Sequence, residues 1–244
     1  MKLVADTHTH TVSSGHAYST IQENAREAAL KGIEAIAMTD HGPLMTGAPS
    51  LFHFWNLKVI PEFINGVRVL KGAEVNIADY SGRLDMPDEM LSRLEFVNAS
   101  LHDVTIDPGT VEEHTNALIC ALKNPYVDAV AHPGNPTFQV DIDRVVKAAA
   151  EYNKLIEINN NSFMVRKGSK DNCLDFVKKC RRYGTRITCG SDAHICYDIG
   201  KFDAVLKILE EAEMPEELVI CTSLDRLNAY LEERAARKAL HRFE

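Results

Sequence analysis

Nine residues of two chemical kinds recur where short apolar segments end: His8, His10, His16, His41, Glu74, His102, His132, Asp192 and His194. Imidazole nitrogens and carboxylate oxygens are donors for zinc, manganese or iron, and nine of them exceed what one ion can take. Asp6-Thr-His-Thr-His10 places two histidines two apart after a first apolar stretch, where a strand would point both rings the same way. Any one such histidine could simply cap a loop by hydrogen bonding. Seven of the ten histidines in such places do not arise readily by chance. The pattern predicts a multinuclear metallohydrolase, on condition that the fold gathers these segment ends in one mouth.

The elements that would do so alternate along the whole chain. Strands are expected over 3–6, 34–39, 67–77, 96–101, 127–131, 155–158 and 186–189. Helices are expected over 20–31, 55–64, 87–92, 110–122, 142–152, 171–183, 200–212 and 223–233, with 79–84 turning into a small hairpin. Ser19 is read as the cap of the first helix, with Gln22 in the capping-box position. Continuous β-branched and leucine runs between helices indicate parallel strands covered on both faces. About seven βα units result, and in a closed parallel barrel the chemistry stands at the C-terminal strand ends. Glu74 then faces inward from the third long strand, and Asp192 and His194 follow the last. Of the other histidines, His53 lies in the 44–53 loop, where it lines the site's entrance or packs. His114 and His241 are read as surface residues.

Composition narrows the class. A chain of 244 residues, 45% hydrophobic, suits one domain over 1–244 with a sizeable core. A formal net charge of -8 disfavours a broad nucleic-acid surface. No run of about 18 apolar residues suggests a membrane span, and the first ten residues lack the apolar stretch of a signal peptide. The six cysteines, Cys120, Cys173, Cys180, Cys189, Cys196 and Cys221, form no C-x-x-C pair. They read as reduced thiols of a cytoplasmic protein. Cys189 and Cys196 flank Asp192 and His194 but are not needed as ligands.

These motifs carry a resemblance. Asp6-Thr-His-Thr-His10, His16-Ala-Tyr-Ser19, Thr39-Asp-His-Gly-Pro43, Gly72-Ala-Glu-Val-Asn76, Ser100-Leu-His102, Ala131-His-Pro-Gly-Asn-Pro136, Glu157-Ile-Asn-Asn160, Arg166-Lys-Gly-Ser169 and Gly190-Ser-Asp-Ala-His194 follow one another through nearly the whole chain. In this order they resemble the polymerase and histidinol phosphatase (PHP) superfamily, and within it the YcdX-type probable phosphatases. The resemblance implies a distorted TIM-like barrel of seven βα units with the metal site at the C-terminal ends of the strands. It implies three divalent ions per chain, zinc first, with manganese and iron also suited. One ion would take His8, His10, Glu74 and Asp192. A second would take Glu74, His102 and His132, and a third His16, His41 and His194. It also implies a homo-oligomer, a trimer in form. Asp6 and Asp40, each preceding or near a ligand histidine, are read as acceptors that orient imidazole N–H groups.

The expected reaction is hydrolysis of a small phosphomonoester by metal-activated hydroxide, with Glu74, Asp192 and His194 in the catalytic set. Arg166 and Lys167 are candidates to clamp the phosphate. No G-x-S-x-G elbow and no P-loop is present. Two rival readings are a nuclease or phosphodiesterase of the same fold and a non-catalytic metal-binding regulatory module. A C–N hydrolase of amidohydrolase type would need a carbamylated lysine or an added aspartate pattern that the sequence lacks.

Overall fold

The computed structural model describes residues 1–241. Its strands are β1 (Ala5–Thr9), β2 (Ala35–Met38), β3 (Phe63–Ile64), β4 (Val67–Asn76), β5 (Phe96–Ser100), β6 (Ala129–Val130), β7 (Leu155–Asn159) and β8 (Ile187–Gly190). Seven of them run parallel in the order β1-β2-β4-β5-β6-β7-β8. The sheet curls until β8 meets β1. At the top of the seam His10 N–H donates to Ala193 O (2.9 Å) and Thr9 bridges Ala193. At the bottom the Ile220–Thr222 turn wedges in, and Val4 N–H donates to Cys221 O (2.8 Å). This wedge distorts a barrel that is otherwise nearly closed, as the family resemblance implied.

Helices α1 (Ile21–Leu30), α2 (Leu51–Asn56), α3 (Asp88–Leu91), α4 (Val111–Lys123), α5 (Ile142–Glu151), α6 (Ser162–Val165), α7 (Ser169–Tyr183), α8 (Asp203–Glu211) and α9 (Leu224–Ala239) surround the sheet. Parallel strands covered on both sides need apolar residues on both faces, and β2 and β5 are buried at every position. None of the described helices is long and apolar enough to cross a membrane.

Four local expectations are corrected. The cap of α1 is Thr20, in a capping box with Glu23, and not Ser19 with Gln22. Ser19 Oγ is already engaged, accepting from Cys196 N–H at 2.8 Å. The helix expected over 55–64 starts earlier, at Leu51, and ends at Asn56; a 3-10 turn follows at Leu57–Val59, and only Phe63–Ile64 form β3. The cause is Asn65-Gly66, both with positive φ (53° and 78°). That pair makes a hairpin turn whose twist suits antiparallel strands, and it folds β3 onto β4. Helix α9 runs to Ala239, beyond the expected 233. His114 is buried, not on the surface: its Nδ1 bonds Gln139 O and its Nε2 accepts Gly109 N–H, both at 2.8 Å. His241 is exposed, as expected.

Helix α9 closes the end of the barrel opposite the mouth through a buried ion pair. Arg234 Nε lies 2.7 and 2.6 Å from the two oxygens of Asp128, and its other nitrogens donate to Leu94 O and Tyr126 O. Arg237 and Tyr230 complete the shell around Asp128. Removing one member of a buried pair strands the other charge. Arg234→Ala should therefore lower the unfolding free energy by about 3–5 kcal/mol in urea titration. A loss below about 1 kcal/mol, the scale of an exposed pair, would mean that Arg237 alone satisfies Asp128.

Candidate metal centre

The C-terminal strand ends bring all nine candidate ligands together. His8 is in β1 and His10 one residue past it; His16 follows in the next loop. His41 lies beyond β2, Glu74 within β4, His102 beyond β5, His132 beyond β6, and Asp192 and His194 beyond β8. They line or underlie a cavity of about 510 Å³ whose wall includes His16, His41, Glu74, His102, Arg166 and Asp192. A cavity of about 550 Å³ at the opposite end of the barrel is lined by Arg68, Arg93, Leu94 and Arg234. Its cations are engaged by Asn228, Glu89 and Asp128, so the reactive chemistry belongs to the mouth.

Distances within the mouth match metal coordination. His8 Nε2 lies 3.1 Å from His10 Nε2, 3.3 Å from Glu74 Oε2 and 3.8 Å from Asp192 Oδ1. His10 Nε2 lies 3.5 Å from Glu74 Oε2 and 3.2 Å from Asp192 Oδ1. A tetrahedron with ligands about 2.1 Å from its centre has edges of about 3.4 Å, so these four donors are spaced as around one ion. On the other oxygen of Glu74, Oε1, converge His132 Nε2 (2.9 Å), His102 Nε2 (3.3 Å) and Ser100 Oγ (2.6 Å). Farther out, His16 Nε2 and His194 Nε2 are 3.0 Å apart, and the His41 ring lies 5.0 Å from that of His16. His41 turns Nδ1 to within 2.7 Å of Glu74 Oε2, and so sits between the groups. His8–His10–Glu74, His41–Glu74–His102 and His10–His41–His194 each keep their ligand atoms within 4.8 Å of one another.

The fit to cations is also visible in what is left unsatisfied. Glu74 Oε2 and His41 Nδ1 are buried and only 2.7 Å apart, yet neither makes a hydrogen bond of acceptable geometry. A buried acceptor without a donor is costly, and a cation between these groups removes that cost. Charges within the cluster are strongly biased. Burial raises the carboxyl pKa of Glu74, but His8, His102 and His41 outweigh it and hold the group well below its usual range. Asp192 is likewise held down against burial, by His8, His10 and Arg166. Burial and the charges of His41 and His194 push His10 down to about 3. Burial and Arg166 push His132 down to about 4. These two rings are neutral at physiological pH, with lone pairs free for a metal.

Several groups fix the rings from behind, through Nδ1. Glu157 holds His8 (2.7 Å), Ser14 holds His10 (3.0 Å), Asn76 holds His102 (2.8 Å) and the Asp192 carbonyl holds His194 (2.9 Å). The expectation for Asp6 and Asp40 is corrected. Asp6 accepts from the backbone N–H groups of Ser191, Gly200 and His8, so it ties the β8 loop to β1 and orients no ring. Asp40 reaches His10 only through Ser14, and also accepts from Thr11. Asp40 directly precedes His41 and so points to the opposite face, whereas Asp6, two residues before His8, is taken up by backbone donors of the loop after β8. Asn76 and Glu157 stood within the matched motifs. Asn76 is two residues from Glu74 and thus on the same face, a usable signal. Ser100, two residues before His102 in a matched motif, carried the same signal, whereas Ser14 had none.

Arg166 Nη1 lies 3.5 Å from Asp192 Oδ2 and 3.1 Å from Ser162 Oγ, at the cavity wall. Lys167 is exposed and lines an adjoining groove of about 320 Å³ with His102, Asp103 and Asn135. His53 packs edge-on against Phe54, with Nε2 3.4 Å from Asp40 Oδ2. Cys189 is buried beside Cys221, away from the donor groups, and all six cysteines are free thiols.

A parallel barrel with a histidine–carboxylate cluster at the C-terminal strand ends defines a class of metal-site proteins. Within that class the chain belongs to the PHP domain family, whose model matches residues 6–164. A probable phosphatase of Acetivibrio thermocellus is 60% identical over 237 residues, covering 97% of this chain and 98% of the relative. A probable phosphatase of Caldanaerobacter subterraneus is 54% identical over 239 residues, covering 97% and 94%. Among solved structures, a histidinol phosphate phosphatase from Lactococcus lactis, complexed with zinc, L-histidinol and phosphate, superposes with a TM-score of 0.65 at 19% identity. It covers 88% of this chain and 95% of that one. The likeness shows that the two share a fold.

Two outcomes are expected of the cluster. Glu74→Gln should lower bound metal by more than any single histidine change, because one carboxylate faces two donor groups and would offset repulsion between cations held there. Elemental analysis after zinc loading reads this, and full retention of metal would refute the bridging position. In metal-free protein, the His132 ring should stay neutral down to about pH 5, given its pKa of about 4 against 6.5 for a free imidazole. The unfolded chain then binds more protons at this site between those values, so His132 makes stability fall as pH drops through that window. A His132 midpoint near 6.5 by NMR would contradict the burial argument.

Proposed function

We propose that this chain is a metal-dependent phosphatase that hydrolyses a small phosphomonoester with three divalent ions, zinc in preference to manganese or iron. The ligand sets are His8, His10, Glu74 and Asp192; Glu74, His102 and His132; and His16, His41 and His194. The observation that carries the reading is Glu74, buried with each oxygen facing a separate group of imidazoles. The two curated probable phosphatases, matched over nearly their whole lengths, support the reaction class. The zinc in the Lactococcus structure supports the metal.

When bound, such ions would acidify a water toward neutrality and neutralise charge on phosphate oxygens. The chain's own groups do the rest. Arg166 stands in the cavity wall beside Asp192, where its guanidinium can pair with a phosphate oxygen as a charge-assisted donor. Its contact with Asp192 at 3.5 Å is loose, so the donors can turn toward substrate. Lys167 supplies a second cation at the mouth of the adjoining groove. Asp192 is kept ionised by His8, His10 and Arg166. His194, partly exposed at the rim, meets the substrate side. Of the serines near the mouth, Ser14 is buried with its hydroxyl donated to Asp40 and Ser19 Oγ accepts from Cys196 N–H, so neither is free to act as a covalent nucleophile. Water is therefore expected to attack phosphorus directly, with inversion of configuration.

The test is a panel of phosphomonoesters beside single-stranded oligonucleotides. Monoesters should be cleaved, activity should vanish with chelator, and it should return with zinc or manganese. Oligonucleotide cleavage without monoesterase activity would favour the phosphodiesterase reading, and inactivity on both with metal bound would favour a regulatory module. Arg166→Ala should lower kcat/KM about 10–1000-fold, about 1.4–4 kcal/mol of transition-state stabilisation, with metal content unchanged. An unchanged kcat/KM would remove Arg166 from the phosphate site.

A further inference from the structure

One buried carboxylate in the mouth lies outside all three ligand sets. Glu157 projects inward from β7 with its side chain fully buried. Both of its oxygens are committed. Oε1 lies 2.7 Å from Nδ1 of His8. Oε2 accepts the backbone N–H of His132 at 2.7 Å and the amide of Asn159 at 3.2 Å. His8 and His132 belong to different donor groups, one on each oxygen of Glu74.

We propose that Glu157 is a positioning residue that couples two ion sites without ligating either ion. The inference rests on the metal-centre reading above. With Nδ1 bonded to Glu157, His8 can offer only Nε2 to a metal, and its ring is locked against rotation. At His132 the restraint acts on the backbone. Its φ is +34°, in the left-handed region. A non-glycine residue there costs on the order of 1–3 kcal/mol and persists only when its surroundings hold it. The carboxylate on its N–H is such a hold, and the turn it maintains aims Nε2 at Glu74 Oε1, 2.9 Å away.

Gly190 is independent support. A Cβ at this position would lie 2.3 Å from Glu157 Oε1 and 2.4 Å from His8 Cβ. The end of β8 therefore passes where only a bare backbone leaves room for the Glu157–His8 pair. A carboxylate that merely filled a polar hole would not act on two ion sites at once.

Glu157→Gln keeps the size but leaves an acceptor at only one of the two oxygen positions, so it cannot accept from both His8 at Oε1 and the His132 N–H at Oε2. In metal-stripped wild-type protein, NMR should show a strongly deshielded Nδ1 proton on His8, and E157Q should lose it. In zinc titrations E157Q should weaken two ions together, by about 10–100-fold, while the ion held by His16 and His194 keeps its affinity. If circular dichroism shows E157Q unfolded, G190A, which displaces the pair without removing the carboxylate, is read in the same way. An unchanged His8 proton, unchanged affinities, or weakening of one ion only would overturn the proposal. The proton signal is read without metal and on no substrate, so it stands apart from failure of the phosphatase reading.

Discussion

A carboxylate buried at the centre of a barrel mouth is the constraint on which this structure depends. A charge removed from water costs several kcal/mol unless it is paired, and Glu74 is 1% exposed. It is ringed by His8, His10, His41, His102 and His132, all within 3.5 Å. Those rings come from segments following four different strands. Parallel strands with their C-terminal ends at one rim bring that many chain segments to a point, which is the service the fold performs for the site.

Neighbouring groups in the ring are driven in opposite directions. Burial opposes a charge on His8, but Glu157, Glu74 and Asp192 raise its pKa well above the ordinary value. His10, 3.1 Å away, is driven down by burial and by His41 and His194. Together these make a cluster with concentrated negative charge in which His10 and His132 are neutral donors. Deprotonated donors bind metal without first releasing protons, whereas His8 would give one up on binding.

The same economy of position shows in the backbone. Two of the candidate ligands, His132 and Asp192, have positive φ, a conformation non-glycine residues avoid unless held. Asp192 N–H donates to His8 O across the seam, and His132 N–H to Glu157. Both residues stand at the mouth, while the opposite end is closed by the Asp128–Arg234 pair and the packing of Phe96 and Tyr230. Stability and site geometry are thereby carried at opposite ends of one barrel.

Much of this was legible in the chain. Apolar runs of strand length separated by helical periods determined the barrel, because a strand covered on both faces must be apolar throughout. The donors were legible because function in such a fold is tied to strand ends, so their types and places in sequence suffice. Where the signal was local but overlooked, as at Asn65-Gly66, the turn chemistry was in the residues all along. Other features were not written locally. His114 is polar in a helix yet buried, because Gly109 N–H donates to its Nε2 and Gln139 O accepts from its Nδ1, both from loops. Ser19 yields its cap to Thr20 because Cys196, far along the chain, claims its hydroxyl. Which group holds each imidazole was decided only by tertiary structure. Glu157 and His8 are 149 positions apart in sequence and 2.7 Å apart in space. The sequence by itself determined which donors exist and at which strand ends they stand. Only the closure of the sheet decided which of them face one another, because hydrogen bonds and ligand distances depend on where separate strands meet.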